Sequence, residues 1–590
     1  MPDRLKKTPS GFFETVQGIL EKFNVRLTTA AVANLLAVVV GVLSGLGAVG
    51  FRYLIEFFKR FFFEGGRTLL FSYIGEHYVV LIPAIGGLIV GPLIYYFARE
   101  AKGHGVPEVK ANIALHGGRI RPRVAIIKSL ASSICIGSGG SVGREGPIVQ
   151  IGSSLGSSIG QLFKLRPDLI KGLLACGAAG GISATFNAPL GGVIFAMEVI
   201  LGNFTTNTFV SLALASFSAA FVAFQFYGAE AAFGAHEFIY HGPREILFYI
   251  MMGILSAVVA FIFVKMLYYT EDLWEKIKFP EQFKPVVGGL LIGGLGFYYP
   301  YLFGVGYEGV GQALQANLKL VPLLVLLVLK IIATSTTIGS GGSGGVFAPS
   351  LFVGAMAGGA FGKIVGMMYP GMEATAGAFS LVGMGAVFAA AASAPVTSII
   401  ILFELTDDYH LILPIMVSCA VSYLVFKQFT REDIYSLKLV KKGIYLHGGR
   451  DLNVLQDIMV RDIMGKEVEV VKEDMTVQEL SDLIRLTDHM GFPVIDEKSE
   501  LTGVVTFNDF QYIKPGSDWA ELTVKDIYNT DLLVTYPDET LDDVMHKLGM
   551  RHVGRLPVVD RSNPKRILGL VTRTDIVNAY SKYLTFKKYE

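Results

Sequence analysis

Three short turns rich in glycine and proline lie inside otherwise apolar sequence: GHGVP at 103–107, GREGP at 143–147 and GGVFAP at 344–349. Proline suits the first turn of a helix, and glycine lets the backbone bend sharply before it. Each turn is therefore expected to start a helix. The first N–H groups of a helix have no partner within it and carry partial positive charge. Several such ends aimed at one point would bind an anion without a full cation, which suits a site that must also release its guest. Glu145, in the second turn, sets one ionisable carboxylate among them. The plainer alternative is that all three are packing turns.

The apolar sequence that must position these turns is written twice. Pro83 opens a Gly-Gly pair at Gly86, and Pro285, 202 residues later, opens another at Gly288. GHGVPEV from Gly103 is echoed by GVGYEGV from Gly304, and GSGGSVGREGP from Gly137 by GSGGSGGVFAP from Gly339. FNAPLGGVIFAME, with Pro189 and Glu198, is echoed by ASAPVTSIIILFE, with Pro395 and Glu404. The 590 residues are 52% hydrophobic and 17% charged, with mean hydropathy +0.50. That excludes a soluble enzyme and points to several membrane spans. A doubled membrane segment is the mark of a transporter whose site lies where two halves meet. The 68 glycines are too many for loops alone, so many must sit where helices approach closely.

A net charge of +1 with no basic stripe gives no nucleic-acid signature. Cys135, Cys176 and Cys419 lie in apolar stretches without metal spacing and read as reduced core residues. No nucleophile–base pair or metal cluster is visible. The opening MPDRLKKTPSGFFETVQGILEKFNVR is charged and amphipathic, is not a signal peptide, and its basic residues favour a cytoplasmic start. Residues 1–28 read as a cytoplasmic lead, 29–226 and 245–430 as the two membrane halves, and the polar stretch 227–243 as an external loop. Apolar stretches at 148–160, 170–182, 347–363 and 376–391 are shorter than the roughly 20 residues a spanning helix needs. They are expected to be half-helices, tolerated only where they line a cavity.

After a linker at 431–454 the chain turns soluble in character and is doubled again. MTVQELSDLI…GFPVID…LTGVVTFND from Met475 matches ETLDDVMHKL…RLPVVD…ILGLVTRTD from Glu539. Each copy reads helix, strand, hairpin, strand, helix. The pattern resembles a tandem pair of CBS domains at 455–515 and 522–585. Each last strand ends in T-x-x-D: Thr506 with Asp509, and Thr572 with Asp575. The resemblance implies that the threonines meet phosphate and the aspartates meet ribose hydroxyls of ATP, ADP or AMP as a regulatory ligand. A strand-to-helix turn suits an anion. The alternative is that Asp509 and Asp575 only cap their helices.

GREGP, a GxGxP motif before it, a GxFxP motif after it and the late tyrosine in IYSLKL together resemble the CLC family of chloride channels and anion/proton exchangers. The resemblance covers 29–585. It implies an α-helical polytopic membrane protein with two inverted repeats of broken helices, followed by the cytoplasmic α/β CBS pair. It further implies a homodimer with a pore in each subunit and both termini cytoplasmic. Carried over by motif, an anion would be held by the turn at His104 and Gly105. Backbone N–H groups at Arg144, Glu145 and Gly146, others around Val346 and Phe347, and the hydroxyl of Tyr435 would complete its partners. Glu145 would be the gate: ionised, it competes with the transported anion for the same N–H groups, and protonated, it swings away.

Two positions depart from the family. His104 stands where a serine usually donates to the central anion, and its ring titrates near neutral pH. It is expected to tune selectivity, add pH sensitivity or relay protons, unless the ring turns into a packed pocket. Val199 stands where exchangers carry an inward-facing proton glutamate. Glu198 precedes it but lies about 100° around the helix, and its echo Glu404 suggests a shared structural role. Val199 favours channel-like anion conduction. The alternatives are proton-coupled exchange by an unusual inner path and, remotely, a CBS-regulated divalent-cation transporter.

Overall fold

The structure is a computed structural model that describes residues 29–228, 245–369, 376–406, 408–441, 444, 458–487, 489–513, 518–551 and 554–586. The 1–28 lead, nearly all of the 227–243 loop and half of the 431–454 linker lie outside the described residues. The chain divides into two compact units, Met1–Gly449 and Arg450–Glu590.

The first half of the membrane unit runs α1 (Thr29–Ile74), α2 (Tyr78–Phe97), α3 (Val106–Leu115), α4 (Arg123–Gly137), α5 (Glu145–Leu162), α6 (Pro167–Phe186), α7 (Pro189–Phe195) and α8 (Thr206–Tyr227). Helix α7 continues as a π-helical segment, Ala196–Leu201. The second half repeats the series as α9 (Glu245–Lys276), α10 (Lys284–Tyr298), α11 (Tyr307–Leu314), α12 (Leu320–Gly339), α13 (Phe347–Met368), α14 (Ala376–Ala392), α15 (Pro395–Thr406) and α16 (Ile412–Phe429), followed by α17 (Ser436–Lys441). Among the described residues, seven helical segments are long and apolar enough to cross a membrane.

Two of the four stretches expected to be half-helices are longer than that reading allowed: Pro167–Phe186 has 20 residues and Phe347–Met368 has 22. Internal glycines do not end them because several face a neighbouring backbone closely. Gly152 of α5 and Gly177 of α6 close on one another, and Gly354 of α13 and Gly383 of α14 do the same in the second half. Close packing offsets the helix-weakening effect of glycine.

The halves also pack on each other reciprocally. Gly87 and Gly91 of α2 abut the backbone of Pro285 and Gln282, while Gly289 and Gly293 of α10 abut that of Pro83 and Val80. Glu198 accepts from the N–H groups of Val396 (3.2 Å) and Thr397 (2.7 Å) at the start of α15. Glu404 accepts from those of Leu190 (2.9 Å) and Gly191 (2.6 Å) at the start of α7. Each half thus caps a helix of the other with its own glutamate, the shared structural role its echo suggested. Gly143 and Gly345, which are sequence equivalents, pair with each other in an antiparallel bridge. A self-paired antiparallel bridge puts a two-fold axis through it and sets the two halves in opposite directions.

The second unit holds α18 (Val460–Ile463), β1 (Val471–Lys472), α19 (Val477–Thr487), β2 (Gly491–Ile495), β3 (Leu501–Thr506), α20 (Leu541–Arg551), β4 (Arg555–Val559), β5 (Ile567–Thr572) and α21 (Arg573–Phe586). β1 pairs parallel with β2, β2 antiparallel with β3, and β4 antiparallel with β5. Each copy has its own core, around Leu480, Phe492 and Val505 in the first and Leu541, Leu556 and Val571 in the second. The closing helix expected in the first copy is instead a 3-10 run, Phe507–Tyr512.

Candidate functional site

The three turns meet at Gly146. A side chain there would run into the carbonyl of His104 in the first turn and into Gly345 in the third. Backbone bonds stitch the same point. Gly143 N–H donates to the Gly345 carbonyl at 2.8 Å, Gly345 N–H to the Gly143 carbonyl at 2.6 Å, and Gly103 N–H to the Gly342 carbonyl at 3.1 Å. Gly105 needs its φ of 85° to aim α3 away from the turn. The starts of α3, α5 and α13 therefore share one small volume, as the turns predict.

Glu145 is the N-terminal residue of α5 and only 1% exposed. Its Oε1 accepts from the Tyr307 hydroxyl at 2.8 Å, and its Oε2 lies 3.4 Å from the N–H of Ala348 in the first turn of α13. Arg144 Nε stands 4.0 Å from Oε1. The carboxyl group is thus seated on a helix N-terminus belonging to the other half. The Phe347 ring packs between Phe186 and Phe388, leaving its backbone to face the turns. Val346 is the N-cap of α13.

On the other side of Gly146, the buried rings of His104 and Tyr435 lie 6.0 Å apart. His104 Nε2 is 3.4 Å from the hydroxyl of Tyr268, which itself donates to the Ile434 carbonyl at 2.6 Å. With that proton committed, the Tyr268 oxygen turns a lone pair toward the imidazole. The His104 ring therefore packs with Tyr268 and Tyr435.

His104, Gly105, Arg144, Glu145, Gly146, Val346, Phe347 and Tyr435 are all brought together. Val199 is buried on the π segment, which packs against α3. Tyr307 and Tyr268 were not singled out from sequence. Tyr307 stands in GVGYEGV, the echo of the first turn, and that was its one available signal. Two buried lysines also escaped notice. Lys128 donates to the carbonyls of Ala101 (3.0 Å) and Gly103 (2.7 Å). Lys330 donates to those of Leu302 (3.3 Å) and Gly304 (3.1 Å). They stand 202 residues apart, the period of the repeat. Each lysine nitrogen donates to carbonyls of a turn, and Lys128 thereby braces the His104 turn from behind.

Residues 86–427 match the family described as "Voltage gated chloride channel". The chain belongs to that family. Residues 460–513 and 524–582 match the CBS domain. Over 458 residues the chain is 31% identical to the H(+)/Cl(-) exchange transporter ClcA of Yersinia pestis, spanning 74% of this chain and 93% of the relative. Over 366 residues it is 31% identical to a putative chloride channel protein, ClcB-like, of Ralstonia nicotianae, spanning 61% and 85%. Among solved structures, a slow cyanobacterial Cl−/H+ antiporter aligns with TM-score 0.64 at 25% identity, over 71% of this chain and 99% of that one. A eukaryotic CLC transporter aligns with TM-score 0.63 at 20% identity, over 92% and 97%, and shares the fold. This CLC chain is thus an integral membrane protein of the anion-transport class, and the divalent-cation reading is set aside.

In the second unit, Thr506 donates to Asp509 Oδ2 from its N–H (2.6 Å) and its hydroxyl (2.8 Å). Thr572 does the same to Asp575 Oδ2 at 2.9 and 2.6 Å. Both T-x-x-D pairs form capping boxes, so one oxygen of each aspartate is engaged within its own turn.

Proposed function

We propose that this CLC chain exchanges chloride or a similar small anion for protons along a path closed by Glu145. The observation that carries this reading is the Glu145 carboxylate seated on the Ala348 N–H at the meeting point of three helix starts. An ionised carboxylate there occupies the position a transported anion needs. Protonation removes its claim on those donors and frees it to move. One group then serves both ions, which is the minimum for coupling them. The full-length antiporter names among its relatives support coupling. Reconstituted protein given a chloride gradient should move protons against their own gradient while chloride flows; rapid chloride flux with no proton movement would reject exchange.

Passive conduction is the second reading, and Val199 favours it, because a valine holds no proton. The basic loop HGGRIRPR at 116–123 favours the cytoplasm on the side where α3 ends and α4 begins. On this reading both termini are cytoplasmic and the protein works as a homodimer with one path per subunit.

The CBS pair supplies regulation by an adenine nucleotide, held at Thr506, Asp509, Thr572 and Asp575. Asp575→Ala should weaken ATP binding by about 1–3 kcal/mol, the usual cost of leaving polar partners unpaired. Titration calorimetry on the whole protein measures it, and unchanged affinity in both Asp575→Ala and Asp509→Ala would make these boxes structural caps only.

A further inference from the structure

An acid able to take a proton from the inner side would feed Glu145, and position 199 does not supply one. Most acids of the membrane unit near that side are already committed. Glu198 and Glu404 each cap a helix of the opposite half. Asp433 accepts from the N–H groups of Tyr435 and Ser436, both at 2.7 Å. Glu100, Asp272 and Glu281 sit in exposed pairs with Arg121, Lys441 and Lys102. Glu108 is partnered too, but within the site rather than in an exposed pair. It lies in the first turn of α3, four residues past His104, with a side chain 15% exposed. Its Oε1 is 3.5 Å from Nζ of Lys438, itself 11% exposed, on the helix that follows Tyr435. The π segment carrying Val199 packs against α3 itself.

Resting on the exchange reading above, we propose that Glu108 is the inward proton acceptor of this chain, with Lys438 as its counter-charge and latch. Several charged or polar groups stand around it. From α17 comes Lys438, whose ammonium reaches toward Gly103 in the His104 turn. From α4 comes Lys128, bound to the carbonyls of Ala101 and Gly103 and within the field of both Glu108 and Lys438. From α5 comes Gln150, which is neutral and donates to the Glu100 carbonyl at 2.9 Å. On α3 itself are His104 at its entry and Lys110. The π segment faces α3 without a free acid, because Glu198 is turned to α15.

The cluster sets two lysines, Lys128 and Lys438, beside the one carboxylate of Glu108. Taking a proton from hydronium in the inner water breaks one of its O–H bonds, releases water, forms the carboxyl O–H and breaks the ion pair. The freed Lys438 ammonium then stands beside the His104 turn, where an anion balances it. A proton on Glu108 and an anion at the turn therefore favour each other, which ties the two movements. The same ion pair spans α3 and α17, so its rupture also unlatches the elements that carry His104 and Tyr435.

The test uses the full chain in liposomes, with chloride and pH electrodes reading together and potassium with valinomycin setting the potential. Chloride-driven proton uptake in the wild type should fall at least tenfold in Glu108→Gln while chloride still moves. Glu108→Asp keeps the acid and should restore uptake to within about threefold of wild type. Proton uptake persisting in Glu108→Gln, or Glu108→Asp as uncoupled as Glu108→Gln, would overturn the assignment. Wild-type chloride flux without protons would overturn it together with exchange, while leaving Glu145-gated anion transport standing; absence of any anion flux would strike the transport reading itself.

Discussion

Tyr307 and Ala348 hold the Glu145 carboxylate from two directions, and both belong to the second half of the membrane unit. Removing the hydroxyl in Tyr307→Phe takes away a hydrogen bond to an ionised group, about 1–2 kcal/mol in net terms. The closed state is the one that loses it. Chloride flux at neutral pH should rise by roughly 5- to 30-fold, read in proteoliposomes; a flux equal to wild type would mean the hydroxyl does not hold the gate. Glu145→Gln mimics the protonated gate, and its flux should be nearly independent of pH; a steep pH dependence in that variant would count against Glu145 as the moving acid. Glu145, His104 and Tyr435 were legible in sequence because turn motifs and a known pattern flag them. Tyr268, Lys128 and Lys330 were not. Each acts on a carbonyl or ring brought close only by the fold, and a lone lysine or tyrosine in an apolar run carries no local signal. The 202-residue spacing of the two lysines was the clue that went unread.

The crossing of α2 and α10 depends on missing side chains. Gly87 faces the Pro285 backbone with no room for another atom, whereas Gly50 on α1 faces open space. Gly87→Val should prevent the halves from docking, seen as loss of the single peak in detergent size exclusion. Gly50→Ala should be neutral or stabilising by up to about 1 kcal/mol, since alanine favours a helix over glycine. Equal behaviour of the two variants would disprove the close-approach argument. The doubling, the turns and most element positions could be read from the chain. Helix lengths at 167–186 and 347–368 could not, because glycine weakens a helix locally while the compensating contact comes from a distant segment. Glu198 and Glu404 illustrate the converse: their echo signalled a common duty, and the exchanged caps are that duty.

At the scale of the molecule, the two units face acid differently. In the CBS unit, the N–H and then the hydroxyl of Thr476 hold the Glu479 carboxyl below the usual carboxylate range, and Thr523 does the same to Asp526. Groups with depressed values stabilise fully above their unfolded values, near 4, and lose that contribution as pH falls through the lower folded values. The unit's unfolding should be insensitive between about pH 7 and 5 and become easier below about pH 4. Trp519 fluorescence follows it in the full chain once Trp274, the only other tryptophan, is replaced by phenylalanine; no acid sensitivity would show these caps to be unimportant. The Gly143–Gly345 bridge has a consequence of its own. Two equivalent residues that hydrogen-bond each other form a seam which needs no covalent tether to define it. Severing the gene between the codons for Gly228 and Glu245 and co-expressing both pieces should therefore yield fragments that find each other, co-purify, and rebuild a working protein.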